Sequence, residues 1–193
     1  MNIIKNKFFT LKSVDNDDED VFSLIQKNLP TSVFSIIDNN FYKNILKKKI
    51  ISIFVISNKK KKSVIITVVT TKNLPRLKYQ LVLFFLLNPF KFLFNILKII
   101  KSLNRSSDIS FNSSHLYLLH FIIFKKNFFG VPLDKKDQII NFFLKKITKF
   151  FNAKYLYLCY ERNNLKAKNF YLRNNFKSYG HNKMSVFLKK KLR

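Results

Sequence analysis

Residues 116–124 read LYLLHFIIF, a nearly unbroken apolar run in which His120 is the most polar residue. A strand of that composition has no face to offer water, so it belongs at the centre of a sheet covered on both sides. The residues that follow supply a cover. Ile139, Ile140, Phe143, Leu144, Ile147, Phe150 and Phe151 recur at spacings of three and four, which predicts a helix with one broad apolar face. Asp134 and Asp137 stand three apart at its start, where an N-cap and a dipole-favoured acid belong. Residues 155–160 then read as a short strand, 164–173 as a helix and 184–188 as a last strand. Strands that alternate with helices in this way predict an α/β layer architecture.

The first half is less regular. Residues 1–11 are compatible with a first strand. An acidic run at residues 15–20 sits where a helix N-terminus wants negative charge, and Val21, Leu24, Ile25 and Asn28 continue it at helical spacing until Pro30. Thr31 or Ser32 is placed to cap a second helix through about Lys48. Residues 50–57 and 63–71 are β-branched and aromatic, and form a predicted hairpin around Asn58 and the lysines at 59–62. Residues 81–100 are almost long enough to cross a bilayer. Asn88, Pro89, Lys91, Asn95 and Lys98 interrupt them, so two shorter amphipathic helices are expected, and their interleaved Lys and Phe suit a membrane surface. Residues 102–114 read as a loop. The expected order is β-α-α-β-β-α-β-α-β-α-β, in a single domain over residues 1–193 with no linker or repeat.

Charge narrows the partners. The formal net charge is +27, and five of the ten acids lie in the one run at residues 15–20. Such a surface attracts nucleic acid or an anionic membrane surface without sequence specificity. Part of the excess reflects a bias toward Lys, Asn, Ile and Phe, and no nucleic-acid recognition motif accompanies it. The single Cys159 cannot form an internal disulfide, and no secretory signal appears, which together give an expected cytoplasmic location. The three histidines, His115, His120 and His181, show no metal-ligand spacing, so no metal is expected.

The most specific pattern lies near the C-terminus. From Tyr155 the chain reads YLYLCYERNNLKAKNFYLRNNF. A strand is followed by N-x-x-A-x-x-F-Y on Asn164, Ala167, Phe170 and Tyr171, then by a basic stretch and Asn175-Phe176. Gly180, Met184, Val186, Leu188 and a basic tail complete it. This resembles the GNAT superfamily of acyl-CoA-dependent N-acetyltransferases, in which a glycine stands where Asn175 does here. Asn is the non-glycine residue most tolerant of left-handed backbone angles. Upstream, QKNLPTSVFSIIDNNFYKNIL is similar to the opening of a bacterial subgroup, so the resemblance runs from about Leu29 to Leu192.

The resemblance implies a central mixed, mostly antiparallel sheet flanked by helices, with its fourth and fifth strands splayed around acetyl-CoA. Tyr171 is then the general acid, because a phenol stays protonated at neutral pH. His120 on the fourth strand, or Glu161 at the end of the fifth, is the implied base. Cofactor contacts fall on Ile123 and Phe124, on Gly130, Lys135 and Lys136, and on Asn164, Ala167 and Phe170. The family cradles the CoA pyrophosphate with R/Q-x-x-G-x-G/A. Here the segment is KKNFFGVPLDKKDQ, with one glycine, Gly130, a proline without an N–H at Pro132, and acids at Asp134 and Asp137. The implied acceptor is a small-molecule amine, such as an amino sugar. A catalytically inactive GNAT-like binding module and a basic nucleic-acid-binding protein are the alternatives.

Overall fold

In a computed structural model of the chain, residues 4–6, 9–15, 17–30, 32–58, 61–104, 115–128 and 131–191 are described. Their strands are β1 (Ile4–Asn6), β2 (Phe9–Ser13), β3 (Ile51–Asn58), β4 (Lys61–Thr70), β5 (Leu116–Ile123), β6 (Tyr155–Glu161), β7 (Lys177–His181) and β8 (Ser185–Lys191). The helices are α1 (Glu19–Asn28), α2 (Asn39–Lys47), α3 (Leu74–Leu86), α4 (Pro89–Asn104), α5 (Leu133–Phe150) and α6 (Leu165–Arg173). One sheet contains all eight strands, in the order β1-β2-β3-β4-β5-β6-β8-β7. Its pairs are antiparallel apart from β5 and β6, which run parallel. The expected mixed, mostly antiparallel sheet is therefore the observed one.

Both faces are covered, as the apolar central strands require. β4 alternates between the two cores: Val64, Ile66 and Val68 point to one, and Ile65 and Val69 to the other. Helices α1 to α4 fill the second, where the fully buried Phe22 and Tyr42 rings stack at 5.0 Å. Helix α5 fills the first with Ile140, Phe143, Leu144 and Ile147.

Several elements differ from their expected form, for local physical reasons. The first strand is two, β1 and β2, paired antiparallel. The second helix does not run from residue 32. Ser32 caps only a 3-10 turn at Val33–Ser35, and Asp38 starts α2 anew by accepting from the Phe41 N–H at 2.9 Å. α3 begins at Leu74, upstream of the expected start, with a proline in its first turn. Pro89 opens α4, so the break expected near Pro89 is present. Residues 102–104 belong to α4 rather than to a loop, and 105–114 lie outside the described residues. The loop after β5 contains a 3-10 turn at Lys125–Phe128, and α5 starts at Leu133 with Pro132, not Asp134, at its N-cap. β7 was not expected. It is an edge strand reading KSYGH, largely exposed, and an edge carries little hydrophobic alternation to read. Of the predicted lysine tip, Lys59 and Lys60 lie outside the described residues, and Lys62 bonds Asp20 at 3.3 Å.

Candidate functional site

The parallel pair β5 and β6 is joined over three positions only: Leu116 with Leu156, Tyr117 with Tyr157, and Leu118 with Leu158. β5 runs on to Ile123 and β6 to Glu161 with no further pairing between them. The departure has a cause in β5. Its register against β4 goes from Leu118 opposite Val68 to His120 opposite Thr67, so Leu119 is an inserted residue. A bulge bends its strand and sharpens the local twist, which ends pairing on the far edge. It also puts neighbouring side chains on one side. Leu119 packs on the core under α1 to α4, and the His120 ring meets Phe34 of the same core edge-on at 4.4 Å. The expected splay of the fourth and fifth strands, counting in the predicted order, is this divergence.

Helix α6 lies across the opening on the opposite face. Asn164 caps it by accepting from the Ala167 N–H at 3.0 Å, which fixes where the first turn starts. Phe170 then meets Phe121 on the β5 arm at 5.2 Å between ring centroids. Tyr171 meets Tyr160 on the β6 arm at 6.0 Å and Phe176 at 5.3 Å. The Tyr171 phenol is held well above its usual pKa by burial, and next by the nearby Cys159. Cys159 is the first β6 residue past the last pair with β5. The Tyr171 phenol is therefore a half-buried, protonated group close to where the strands part.

The C-terminal end of α6 is locked in place. Asn175 has φ 59°, the left-handed angle expected where the family pattern has glycine. The buried Asn174 donates to the Phe170 carbonyl at 2.8 Å and accepts from Asn141 of α5 at 2.5 Å. Lys190 of β8 donates to the Asn141 side chain and to the Asn174 carbonyl, both at 2.6 Å. Burial, and then Lys145, lower its pKa. Arg173 of α6 also bonds Asp137 of α5 at 3.0 Å. This network was not legible in the sequence, because its members lie far apart and each reads as an ordinary surface residue.

The remaining predicted residues fall in three places. His120 is buried in β5, and Glu161 ends β6 on the side of Cys159 by strand alternation, so both candidate bases share the α1 to α4 face, across the sheet from Tyr171. Ile123 ends β5 and Phe124 follows it, its N–H donating to the Ser63 carbonyl at 2.9 Å. Lys135 and Lys136 are in the first turn of α5, whose start carries no side-chain cap. Gly130 lies outside the described residues. Pro132 at the N-cap removes no donor from the first turn itself, and Asp137 is neutralised by Arg173. Clefts of about 520 and 560 Å³ lie elsewhere, and neither is lined by β5 or β6. Among the described residues no three of His, Cys, Asp and Glu gather as a metal site.

The buried phenols carry a stability prediction. Tyr42 donates to the Phe34 carbonyl at 3.0 Å, and burial raises its pKa as it does that of Tyr171. A folded pKa above the unfolded value of about 10 gives stability that is complete below pH 10 and lost as pH rises beyond it. Each phenol should remove about 1.4 kcal/mol per pH unit above about pH 10. Urea unfolding from about pH 9 to about pH 11 measures this, and Tyr42→Phe should lower the slope. A flat profile would show that these hydroxyls are not buried.

No protein-family model matches the sequence, and no curated protein does. Solved structures do match. The chain is similar to a GNAT-family acetyltransferase from Listeria monocytogenes, at TM-score 0.56 and 12% identity over 98% of this chain and 99% of that one. It is similar to spermidine N-acetyltransferase from Vibrio cholerae in complex with CoA and spermine, at TM-score 0.59 and 13% identity, covering 97% of each chain. It is also similar to the N-acetyltransferase PseH from Campylobacter jejuni in complex with acetyl coenzyme A, at TM-score 0.53 and 15% identity, over 94% of this chain and 98% of that one. The chain has the GNAT fold.

Proposed function

We propose that this GNAT-fold chain is a divergent N-acetyltransferase that moves an acetyl group from acetyl-CoA to a small-molecule amine. The observation that carries the reading is the split between β5 and β6 with the half-buried, protonated Tyr171 phenol beside it. The residues suit the cofactor. The diverging arms offer an apolar slot floored by Phe121 and Phe170, and an uncapped N-terminus on a helix of 18 residues, where Lys135 and Lys136 outnumber Asp134 in the first turn, offers donors and net positive charge to phosphates. Acetyl-CoA supplies an activated thioester. The amine nitrogen, entering from the face of His120, bonds to the acetyl carbon as the carbon–sulfur bond breaks. His120 takes the proton the amine loses, with Glu161 the second candidate, and Tyr171 gives its proton to the departing thiolate. No acid lies between Asp38 and Asp108, and that stretch includes α2 to α4 on the acceptor face. A polycationic acceptor would be repelled there, which favours a singly charged amine such as an amino sugar over a polyamine.

Acetyl-CoA at about a hundred times its dissociation constant should stabilise the fold by about 3 kcal/mol, seen as a rise in melting temperature. Addition of an amino sugar should then release free thiol. A melting temperature that does not move across millimolar acetyl-CoA, with no thiol released, would instead identify a catalytically inactive module. The loop with one glycine is the observation favouring that second reading.

A further inference from the structure

We propose that the α3–α4 hairpin docks the protein on an anionic lipid bilayer, lying within its interface. α3 turns Leu74, Leu77, Leu81, Phe84 and Phe85 into the core and is anchored there. α4 is apolar on two sides. Ile99 reaches the core, whereas Phe90, Leu93 and Phe94 before the kink at Asn95, and Leu97 after it, are exposed and follow the exposed Leu86 and Leu87. Phe94 is 85% exposed and Leu97 75%. A soluble surface rarely leaves so much apolar area together.

Charge selects the cover. Lys72, Arg76, Lys78, Lys91, Lys98 and Lys101 accompany these residues in sequence, with no acid among them. A second copy docked by the same face would bring these cations, Lys91 with its Asp38 aside, against their own images. Nucleic acid would satisfy the cations and leave the leucines and phenylalanines in water. An anionic bilayer takes both, the rings and aliphatic chains below the headgroups and the ammonium groups among the phosphates. The shape suits lying on the membrane rather than crossing it. Among the described residues no single helix is long and apolar enough to span, and the two segments are bent by 119°. Lys91 ties the start of α4 to Asp38 at 3.6 Å. The docked face is also the face of His120, because α4 packs on the turn at Val33–Ser35 whose Phe34 touches that ring.

The chain has no tryptophan, so Phe94→Trp installs a single probe at an exposed site. Vesicles of phosphatidylcholine with about 30% phosphatidylglycerol, in about 0.1 M salt, should bind this variant, blue-shift its emission and let brominated lipid quench it, whereas pure phosphatidylcholine binds far less. The triple variant Phe90→Ser, Phe94→Ser, Leu97→Ser, with circular dichroism and melting temperature retained, should bind the anionic vesicles at least about tenfold more weakly. The proposal is overturned if the parent stays in solution with both vesicles. It is equally overturned if the triple variant binds as well as the parent, if the tryptophan emission does not shift on binding, or if these exposed residues prove to close a dimer that vesicles do not capture.

Discussion

Tyr171→Phe should lower kcat for acetyl transfer by about a hundredfold or more, while the stabilisation given by acetyl-CoA changes little. The ring stays where it is, because Phe170, Tyr160 and Phe176 hold it by packing that phenylalanine reproduces. What is lost is one proton donor. The departing thiolate then lacks its proton donor, so the barrier rises by most of the value of that donor, about 3 kcal/mol for a hundredfold. The pH profile separates this role from a structural one. Burial keeps the Tyr171 phenol protonated well past its usual range, so the parent rate should hold through neutral pH and fall only in strong alkali. In the variant the part of that alkaline fall due to Tyr171 should disappear. Unchanged turnover in an active preparation removes Tyr171 from the reaction. Turnover lost together with acetyl-CoA stabilisation means that the ring, not the hydroxyl, was the contribution.

The parts of this molecule that were legible in advance are those whose causes are local. Residues 116–124 announce a doubly covered strand because each of their side chains needs an apolar neighbour, and β5 is central. Asn164 announces a helix start and Asn175 a left-handed turn, and both stand as read, with the cap bond at 3.0 Å and φ at 59°. The divergence of β5 and β6 was expected only through the family resemblance. The bulge at Leu119 that produces it depends on registering β5 against Thr67 and Val68, and no feature of LYLLHFIIF marks Leu119 as the extra residue. The clamp made by Asn141, Asn174 and Lys190 was invisible for a related reason. Asparagine and lysine are so frequent in this chain that neither draws notice, and only the fold brings them within 2.6 Å. The second helix was misjudged because the apolar spacing of Val33, Ile36 and Ile37 runs smoothly into that of α2. The Asp38 cap outweighs this periodicity by giving the Phe41 N–H a partner before the helix begins.

Phe143→Ala should destabilise the fold by about 3 to 5 kcal/mol, whereas Phe94→Ala, the same change in sequence terms, should cost less than about 0.5. Phe143 is fully buried on α5, edge-on to Phe142 at 5.1 Å and surrounded by Ile140, Leu144 and the β4 and β5 side chains of the same core. Truncation there removes a ring's worth of apolar burial and leaves a void that a close-packed interior fills only in part. Phe94 has little burial to lose. Urea unfolding of the two variants, at constant m, gives the difference directly, and that difference is a large part of the stability of a domain this size. A cost below about 1 kcal/mol for Phe143 would mean that α5 is not seated on the sheet as described. The functional consequence follows from the same seating. The N-terminus of α5 is offered to phosphate, and its Asp137 and Asn141 hold α6 over the split, so a loosened α5 should also weaken the response to acetyl-CoA. Phe94→Ala should leave that response intact, because the exposed patch it belongs to has no part in holding α5 or α6.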